Sequence, residues 1–598
     1  MRQLWPRNPF GSVHLRVRVL DDIGVPRSVD TNALHCRSPP SGRTRSSTNQ
    51  STRSVTTMTD PDFSTAPLDV VVIGAGVAGM YAMHRLREQG LRVHGFEAGS
   101  GVGGTWYFNR YPGARCDVES FDYSYSFSEE LQQDWDWSEK YAAQPEILSY
   151  LDHVADRFDL RTGFTFDTRV LSAQFDEGTA TWRVQTDGGH DVTSRFVVCA
   201  TGSLSTANVP NIAGRETFGG EVFHTGFWPH EGVDFTGKRV GVIGTGSSGI
   251  QSIPLIAEQA DHLYVFQRSA NYSVPAGNTP LDDKRRAEIK AGYAERRALS
   301  KRSGGGSPFV SDPRSALEVS EAERNAAYEE RWKLGGVLFA KTFADQTSNI
   351  EANGTAAAFA ERKIRSEVQD QAIADLLIPN DHPIGTKRIV TDTNYYQSYN
   401  RDNVSLVDLK SAPIEAIDET GIKTADAHYE LDALVFATGF DAMTGALDRI
   451  EIRGRNGETL RENWHAGPRT YLGLGVHGFP NLFIVTGPGS PSVLSNMILA
   501  AEQHVDWIAG AINHLDSAGI DTIEPSAEAV DNWLDECSRR ASATLFPSAN
   551  SWYMGANIPG KPRIFMPFIG GFGVYSDICA DVAAAGYRGF ELNSAVHA

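Results

Sequence analysis

The chain has few cysteines and no closely spaced cysteine pair. Five cysteines are spread over 598 residues, and none forms a Cys-x-x-Cys motif. A disulfide framework or a redox-active thiol pair needs paired, suitably spaced cysteines, so neither is predicted. Sparse, unpaired cysteines are typical of a reducing compartment, and we expect a cytoplasmic protein.

Long apolar runs and an excess of positive charge are also absent. Gly or charged residues interrupt every apolar stretch well before the ~18 residues that a membrane helix needs. The formal net charge is -19, and the resulting field repels nucleic acids and anionic membrane surfaces. We therefore expect neither as a partner, no bound metal, a small uncharged or cationic substrate, and a monomer or weak dimer.

Residues 1–57 differ in composition from the rest of the chain. They contain nine Arg, three Asp, no Lys and no Glu, together with many Ser, Thr and Pro. A secretory signal needs an apolar segment that this stretch lacks. The composition favours a disordered leader, or a start codon placed upstream of Met58, and an Arg- and Ser-rich transit peptide is the alternative.

A glycine-rich fingerprint lies near the start of the ordered sequence. Its glycines are Gly74, Gly76 and Gly79, between an apolar β-type run at 68–73 and helical spacing at 77–89. This order predicts a strand, a tight turn and a helix whose N-terminus binds a pyrophosphate. A second strand over 91–96 ends at Glu97, where an acid binds a ribose hydroxyl. The position in the chain suits FAD.

A second fingerprint repeats this pattern. After a strand at 239–243 come the residues of the second turn, Gly244, Thr245, Gly246, Ser247 and Gly249, then a helix over 250–259 and a strand over 262–266. This strand ends without an acid, at Gln267 and Arg268. Because a guanidinium favours a 2'-phosphate, the second nucleotide is predicted to be NADPH.

The predicted fold is α/β, with two Rossmann-type dinucleotide-binding domains and a helical insertion in the second. Helical composition marks the insertion, with a capping box at Ser320–Glu323, helices over 320–334 and 355–376, and a mobile loop at 303–308. Two Ala-Thr-Gly segments, ending at Gly202 and Gly439, mark the crossings between the domains. The predicted limits are 66–202 and 439–598 for the FAD domain, 203–275 and 384–438 for the NADPH domain, and 276–383 for the insertion.

The link between the fingerprints carries a motif that resembles one family. The run from Phe218 to Pro229, with Gly220, His224 and Trp228, is similar to the Phe-x-Gly-x-x-x-His-x-x-x-Trp-Pro signature of the Baeyer-Villiger monooxygenases. The runs 103–106 and 110–117 extend the resemblance, which covers about Asp69 to Leu592. Related flavin monooxygenases that oxidise nitrogen or sulfur usually have Phe or Tyr in place of Trp228.

This resemblance implies an enzyme that contains FAD and uses NADPH and O2 to convert ketones to esters or lactones through a C4a-peroxyflavin. The runs 267–278 and 328–339 are similar to those of family members that act on bulky ketones, so a steroid-like, aryl or cyclic ketone is expected. The Gly-, Pro- and Ser-rich run 487–497 is expected to pass the flavin and line the ketone pocket.

The resemblance also implies roles for single residues. Arg388 corresponds to the residue that stabilises the flavin peroxide, and a guanidinium stays cationic at working pH. Asp117 corresponds to the carboxylate that holds this arginine beside the flavin; the alternative is that Asp117 only anchors its own loop. His224 is interpreted as a conformational residue that couples NADP position to domain motion, or as a simple buried histidine.

Further cofactor contacts follow from the same correspondence. Lys387 and Arg268 are placed at the NADPH 2'-phosphate, although either could be an ordinary surface charge. Trp552 corresponds to a residue on a mobile segment that closes over the nicotinamide. The remaining expected flavin contacts are Thr105, Trp106, Tyr123, Val170 and Met497. For Trp552, Tyr123 and Met497 the alternative is core packing.

Three other functions fit parts of the pattern. A flavin monooxygenase that oxidises nitrogen or sulfur shares both fingerprints and is disfavoured by Trp228. A flavin disulfide reductase shares the two-nucleotide plan but needs a cysteine pair near the flavin, which the chain lacks. An NADPH-sensing flavoprotein would keep the fold without needing Arg388 and Asp117.

Overall fold

The computed structural model describes residues 67–594 of the chain. The predictions for residues 1–57 therefore lie outside the described residues. Within the described range no helix combines the length and apolarity that spanning a membrane requires. The strands, in chain order, are β1 (Leu68–Ile73), β2 (Val93–Phe96), β3 (Phe164–Thr165), β4 (Val170–Asp176), β5 (Thr181–Thr186), β6 (Asp191–Cys199), β7 (Glu221–His224), β8 (Arg239–Ile243), β9 (His262–Gln267), β10 (Ser273–Pro275), β11 (Val390–Asp392), β12 (Val404–Asp408), β13 (Ile414–Ile417), β14 (Gly421–Thr424), β15 (His428–Glu430), β16 (Ala433–Phe436), β17 (Glu451–Arg453), β18 (Leu482–Ile484), β19 (Thr522–Pro525) and β20 (Phe590–Asn593).

Fifteen α-helices lie between these strands in the described range, together with short 3-10 turns. They are α1 (Val77–Glu88), α2 (Thr105–Phe108), α3 (Glu129–Asp134), α4 (Gln144–Arg157), α5 (Ser247–Gln259), α6 (Asp283–Ala291), α7 (Tyr293–Arg302), α8 (Glu321–Leu334), α9 (Ile350–Glu367), α10 (Gln371–Leu377), α11 (Tyr395–Ser398), α12 (Leu460–Asn463), α13 (Met497–Ala518), α14 (Ala527–Ser542) and α15 (Phe572–Ala584).

The first large sheet has the strand order β17-β4-β5-β6-β1-β2-β3, with β18 paired to β6. Strands β2 and β6 both pair with β1 in parallel. Strand β5 pairs with β4 on one side and with β6 on the other, antiparallel in both cases. Successive residues of β1 face opposite sides. Val70 packs with α1 and α13 in one core, and Val71 packs in a second core behind the sheet. Burial on both faces explains why β1 is a continuous apolar run rather than an alternating one.

The second large sheet is parallel throughout, with the order β12-β9-β8-β16-β7. Helix α5 covers one face, where Val240 and Val242 of β8 pack against Ile253. The helix begins at Ser247, three residues before the predicted start, because Gly246 is already its N-terminal capping position. The fold is therefore α/β with two Rossmann-type units, as the fingerprints predicted.

The two crossing segments lie side by side between the sheets. The chain leaves the first sheet after β6 and returns to it after β16. Between these points the amide of Asn208 donates to the carbonyl of Gly439 at 2.9 Å, and the amide of Met443 donates to the carbonyl of Ser203 at 2.8 Å. The predicted crossings thus form one hydrogen-bonded, two-segment link.

The helical insertion holds α6 to α10 between β10 and β11. Two of its local predictions need correction. The helix expected over 355–376 is two helices, because Val368 is extended and the side chain of Asp370 caps α10 by accepting from two amides. At α8 only half of the capping box forms. Ser320 accepts from the amide of Glu323, whose carboxylate instead binds Arg314.

The glycine-rich segment 303–308 is a loop, as predicted, but neighbouring segments fasten it. The carbonyl of Gly304 accepts from the amide of Phe572, and that of Gly305 accepts from the amide of Asn496, both at 2.9 Å. The absence of side chains lets the loop approach closely, since a Cβ added at Gly571 would lie 3.2 Å from the Cα of Gly304. The segment is therefore held at two points, and its mobility stays a prediction.

Candidate active site

The first fingerprint, Gly74 to Gly79, forms a tight turn that we call the first cradle. Its first and third glycines leave no room for a side chain. Gly74 has a φ of +103°, and a Cβ there would lie 2.7 Å from the carbonyl oxygen of Ala200. A Cβ at Gly79 would lie 1.8 Å from the carbonyl oxygen of Gly74. Helix α1 begins after Gly76 with no side-chain cap and no acidic residue in its first turn. Its N-terminal amides are therefore free to bind a phosphate, which fits a bound dinucleotide.

Glu97 closes the cradle at the end of β2. Its carboxylate is buried and accepts from the amides of Ala75 and Gly99, each at 2.7 Å. Burial raises the pKa of Glu97, and these two amides oppose the shift. A carboxylate has about four acceptor positions, so capacity for a ribose hydroxyl is left. The carbonyl of Glu97 binds the amide of Thr168, which brings the start of β4 at Val170 close to the same point.

The predicted flavin contacts around α2 adjoin the same turn. The amide of Gly103 donates to the carbonyl of Ala75 at 3.0 Å, and Thr105 begins α2 as an exposed residue. Trp106 is buried, and its indole nitrogen donates to the hydroxyl of Tyr123 at 3.1 Å. The fold therefore brings these three residues together beside the first cradle.

The second fingerprint, Gly244 to Gly249, forms a second cradle with the same close backbone approaches at its first and third glycines. Gly244 has a φ of +110°, and a Cβ there would lie 2.5 Å from the carbonyl oxygen of Ala437. A Cβ at Gly249 would lie 2.2 Å from the carbonyl oxygen of Gly244. Thr245 is buried and fixes the turn by donating to the carbonyl of Ser269 at 2.9 Å. Helix α5 begins without a side-chain cap, which again fits a pyrophosphate.

Two cations lie near this second cradle. Arg268 is exposed and directly follows β9. Burial lowers the pKa of Lys387, and the positive charges of Arg268 and Lys410 add to this shift, against the carboxylate of Asp381. The ammonium of Lys387 lies 3.5 Å from both oxygens of Asp381. The positive charges of Arg268 and Lys387 repel each other. A phosphate dianion bound between them would attract both charges and offset this repulsion.

Arg388 is held in one orientation by a two-point ion pair. Its Nε donates to Asp117 Oδ2 at 2.6 Å and its Nη2 donates to Oδ1 at 2.7 Å. A third bond runs from Nη1 to the carbonyl of Val493 at 2.9 Å. Burial disfavours the charged guanidinium, but the carboxylate of Asp117 outweighs it and raises the pKa of Arg388. The group is thus a fixed, permanent cation.

A small apolar cluster covers Arg388 and contains a residue that the sequence did not single out. Burial raises the pKa of Tyr553, and the guanidinium of Arg388 beside its hydroxyl opposes the shift. The Trp552 ring lies 4.2 Å from the Tyr553 ring, and both pack in a cluster that includes Met497. The only sequence signal for Tyr553 was its position next to Trp552.

The motif residues His224 and Trp228 have two different environments. His224 lies at the end of β7, where its Nδ1 accepts from the amide of Gly226 at 2.9 Å and its Nε2 lies 3.4 Å from Thr438 Oγ1. Burial lowers the pKa of His224, so the ring is neutral. Trp228 is buried and packs between Phe223 and Phe235. Thus His224 contacts the interdomain link, and Trp228 belongs to the core.

Comparison with known proteins assigns this arrangement to a family. The Flavin-binding monooxygenase-like family matches residues 68–275. A Baeyer-Villiger monooxygenase from Pseudooceanicola batsensis is 45% identical over 526 residues, which are 87% of this chain and 96% of that protein. This chain belongs to the Baeyer-Villiger monooxygenase family. A solved structure of oxidised steroid monooxygenase bound to NADP is 65% identical, has a TM-score of 0.85, and matches over 88% of this chain and 100% of that chain.

The family assignment establishes an FAD- and NADP-dependent monooxygenase with a two-domain α/β fold. One relative broadens the chemistry of the family. A phenazine N-monooxygenase from Lysobacter antibioticus is 43% identical over 530 residues, which are 88% of this chain and 97% of that protein. Overall similarity therefore includes proteins named for nitrogen oxygenation as well as for ketone oxygenation.

Proposed function

We propose that this Baeyer-Villiger monooxygenase uses NADPH and O2 to convert a bulky ketone into an ester or lactone. The observation that carries the proposal is the two-point pair between Arg388 and Asp117, which joins a segment that follows the first cradle in the chain to one that follows the second. An inactive sensor of the same fold would have no need to fix a cation at this place. The flavin, once reduced by NADPH, supplies the activated oxygen that enters the ketone.

Arg388 is proposed to stabilise the negative charge that develops on the ketone oxygen during the reaction. Oriented cations contribute most when they need no rearrangement as the charge forms. Asp117 and the Val493 carbonyl provide that orientation, and Tyr553 packs against the guanidinium. Asp117 thus acts as a positioning residue rather than as a proton donor. The same contacts support its predicted pairing with Arg388 rather than a role confined to its own loop.

The nucleotide roles are proposed on the geometry of the two cradles. Gly74, Gly76, Gly79 and Glu97 would hold FAD, with Thr105, Trp106, Tyr123, Val170 and Met497 around it. Gly244, Thr245, Gly246, Ser247 and Gly249 would hold the NADPH pyrophosphate, with Arg268 and Lys387 at the 2'-phosphate. Trp552 would cover the nicotinamide, and His224 would sense the interdomain link through Thr438. The predicted domain limits are part of this proposal.

A bulky substrate is proposed for two reasons. The NADP-bound structure that is 65% identical to this chain is a steroid monooxygenase. The run 487–496 also consists mainly of small residues that turn tightly, and Ser490 and Ser492 are fully buried. Cytoplasmic location and a monomeric or weakly dimeric state complete the proposal. The four cysteines of the described range are free and buried, which suits a reducing compartment.

The decisive experiment is product analysis with isotopically labelled O2. The purified enzyme, loaded with FAD and NADPH, is expected to insert one labelled atom beside the carbonyl of a steroid, aryl or cyclic ketone. NADPH consumption alone is insufficient, because uncoupled oxidation also consumes it. Labelled ester or lactone supports the proposal. N-oxide from a phenazine, without any ester from the ketone panel, would favour the chemistry of the Lysobacter relative, and a preparation without bound flavin would favour a sensor.

A further inference from the structure

The loop that lies beside Arg388 is bound to the interdomain link. Residues 551–566 form a loop that closes on itself, because the amide of Met566 donates to the carbonyl of Tyr553 at 3.0 Å. Tyr553 and Met566 pack in one apolar cluster with Val493, whose carbonyl accepts from Arg388 at 2.9 Å. Whatever holds the loop 551–566 in place therefore also determines the surroundings of Arg388.

Lys561 makes two of the contacts between this loop and the link. Its side chain is only 11% exposed, and its ammonium donates to Asp441 Oδ1 at 2.6 Å and to the carbonyl of Ala442 at 2.8 Å. Asp441 and Ala442 belong to the second of the two crossing segments. A charged hydrogen bond that is shielded from water is stronger than the same bond at the surface. Lys561 is thus a firm attachment of the loop to the link.

Asn557 attaches the loop to both crossing segments. Its Nδ2 donates to the carbonyl of Phe440 at 2.7 Å, and its own carbonyl accepts from Asn208 Nδ2 at 3.4 Å. Asn208 lies on the first crossing segment and Phe440 on the second. The two segments are bonded to each other at the same place, since the amide of Asp441 donates to the carbonyl of Thr206 at 2.8 Å. The loop is therefore bound at the junction of the two crossings.

The same part of the link contacts the signature motif. The ring of Phe440 lies 6.3 Å from the ring of His224, edge to face. A Cβ added at Gly226 would lie 2.7 Å from the Phe440 ring, so the motif backbone approaches this ring closely. Phe440 thus contacts the motif with its side chain and Asn557 with its carbonyl. A continuous set of contacts runs from the motif to the loop beside Arg388.

We propose that Lys561 is a positioning residue, which holds Trp552 and Tyr553 over the active site by binding the interdomain link at Asp441. This inference rests on the proposed ketone oxygenation. With the loop attached, the site is shielded from water. With the loop released, the site is open, and NADPH, O2 and one proton give NADP+ and hydrogen peroxide in place of ester. Lys561 thus determines how much of the NADPH is used for oxygenation.

The first test is hydrogen–deuterium exchange of the full chain loaded with FAD and NADP+, so that the readout is independent of turnover. Peptides from 551–566 contain the amides of Ala556 and Met566, which donate to carbonyls within the loop. The variants are Lys561→Met, Lys561→Arg, Asp441→Asn and the combination of Lys561→Met with Asp441→Asn.

Lys290→Met is the matched control. Lys290 lies on α6 and is 15% exposed. Its ammonium, like that of Lys561, donates to one carboxylate and one carbonyl, those of Asp136 and Gln133, both at 2.6 Å. The control therefore removes the same kind of contact from a different part of the chain.

Exchange in 551–566 is expected to be about tenfold faster in Lys561→Met, on the scale of a lost charged hydrogen bond. Asp441→Asn is expected to act in the same direction, and the combined variant to be no faster than Lys561→Met, because the two side chains form one contact. Lys561→Arg, which keeps the charge, is expected to exchange at close to the wild-type rate. Lys290→Met is expected to leave this loop unchanged.

The second test measures hydrogen peroxide and ester formed per NADPH. We expect peroxide per NADPH to rise about threefold or more in Lys561→Met, because the released loop no longer shields the site. Anaerobic reduction of the flavin by NADPH is expected to keep its wild-type rate. A general loss of stability would lower both half-reactions together and would leave this ratio unchanged.

Wild-type exchange of 551–566 in Lys561→Met would overturn the inference. So would equally faster exchange throughout the chain, or faster exchange of the loop with an unchanged ratio of peroxide to NADPH. If the wild-type enzyme forms no ester from any ketone but the loop is released in Lys561→Met, the proposed function fails, while the attachment of the loop through Lys561 stands.

Discussion

At the scale of single residues, Arg388 carries the largest predicted effect. Replacing it with Ala removes a fixed cation and leaves Asp117 without its partner. We expect Arg388→Ala to lose ester formation by about 100-fold or more, while reduction of the flavin by NADPH continues. Anaerobic stopped-flow spectroscopy measures the reduction, and chromatography measures the ester.

A suitable control is Arg183→Ala. Arg183 also forms a two-point pair with an aspartate, Asp191, but it is 62% exposed and lies in the first sheet away from the cleft. Exposed pairs contribute little to stability, so this variant is expected to retain ester formation. Arg388→Ala with wild-type ester yield would remove the basis for the proposed role.

The choice between NADPH and NADH is also proposed to depend on single side chains. Arg268→Ala removes one of the two cations proposed to bind the 2'-phosphate. We expect the KM for NADPH to rise about tenfold or more, on the scale of a charged hydrogen bond, and the KM for NADH to change little because NADH lacks that phosphate. Steady-state kinetics with both nucleotides measure the difference. Parallel increases for NADPH and NADH would show that Arg268 does not read the phosphate.

At the level of secondary-structure elements, the first fingerprint is predicted to tolerate no side chain at its third glycine, Gly79, which lies in the first turn of α1. A Cβ at Gly79 would lie 1.8 Å from a backbone oxygen, and only movement of α1 away from the sheet could relieve this overlap. We expect Gly79→Ala to be purified without FAD and with a lower melting temperature. Flavin absorbance and thermal unfolding are the measurements.

Gly354→Ala is the matched glycine substitution. Gly354 lies within α9, and a Cβ there would meet nothing within 4 Å. Alanine is expected to stabilise this helix by about 0.5 to 1 kcal/mol and to leave FAD binding intact. If both alanine variants keep flavin equally, the steric account of the cradle is wrong.

At the scale of the whole molecule, a buried histidine connects three distant segments. His504 Nδ1 accepts from the amide of Thr486 at 2.9 Å, and its Nε2 lies 2.9 Å from the hydroxyl of Tyr575, which in turn donates to the carbonyl of Leu472 at 2.6 Å. Burial lowers the pKa of His504 to about 3. The ring is therefore neutral and can accept on one side while donating on the other.

This network predicts a pH dependence of stability. The unfolded state binds a proton at His504 near pH 6.5, and the folded state does so only near pH 3, so the stabilisation is complete above pH 6.5 and declines as the pH falls towards 3. The melting temperature is expected to fall between pH 7.5 and 5, and less steeply in His504→Gln. His465→Gln, at an exposed position, should keep the wild-type slope. An identical slope in His504→Gln would contradict the assignment.

The net charge of the whole chain is a poor guide to the charge of the substrate that the active site binds. The value of -19 led to the expectation of an uncharged or cationic substrate. The proposed site nevertheless includes three cations, Arg268, Lys387 and Arg388. Local arrangement therefore decides which small anions can bind, and net charge constrains only larger partners.

Features that depend on neighbouring residues could be predicted from local sequence patterns. The spacing of Gly74, Gly76 and Gly79, the β-branched runs before each fingerprint, and the basic end of β9 at Arg268 act within one turn or strand. They predicted the α/β fold and both nucleotides, which the comparisons confirmed. The family resemblance supplied the correspondence of Arg388 and Asp117.

Features that depend on contacts between distant segments could be seen only in the folded chain. Asp117 and Arg388 are separated by 271 positions, and no local pattern reveals that their side chains meet at two points. The orientation of Tyr553 and the anchoring of loop 303–308 have the same origin. Each is fixed by packing or by a hydrogen bond from another part of the chain, and such contacts exist only once the chain has folded.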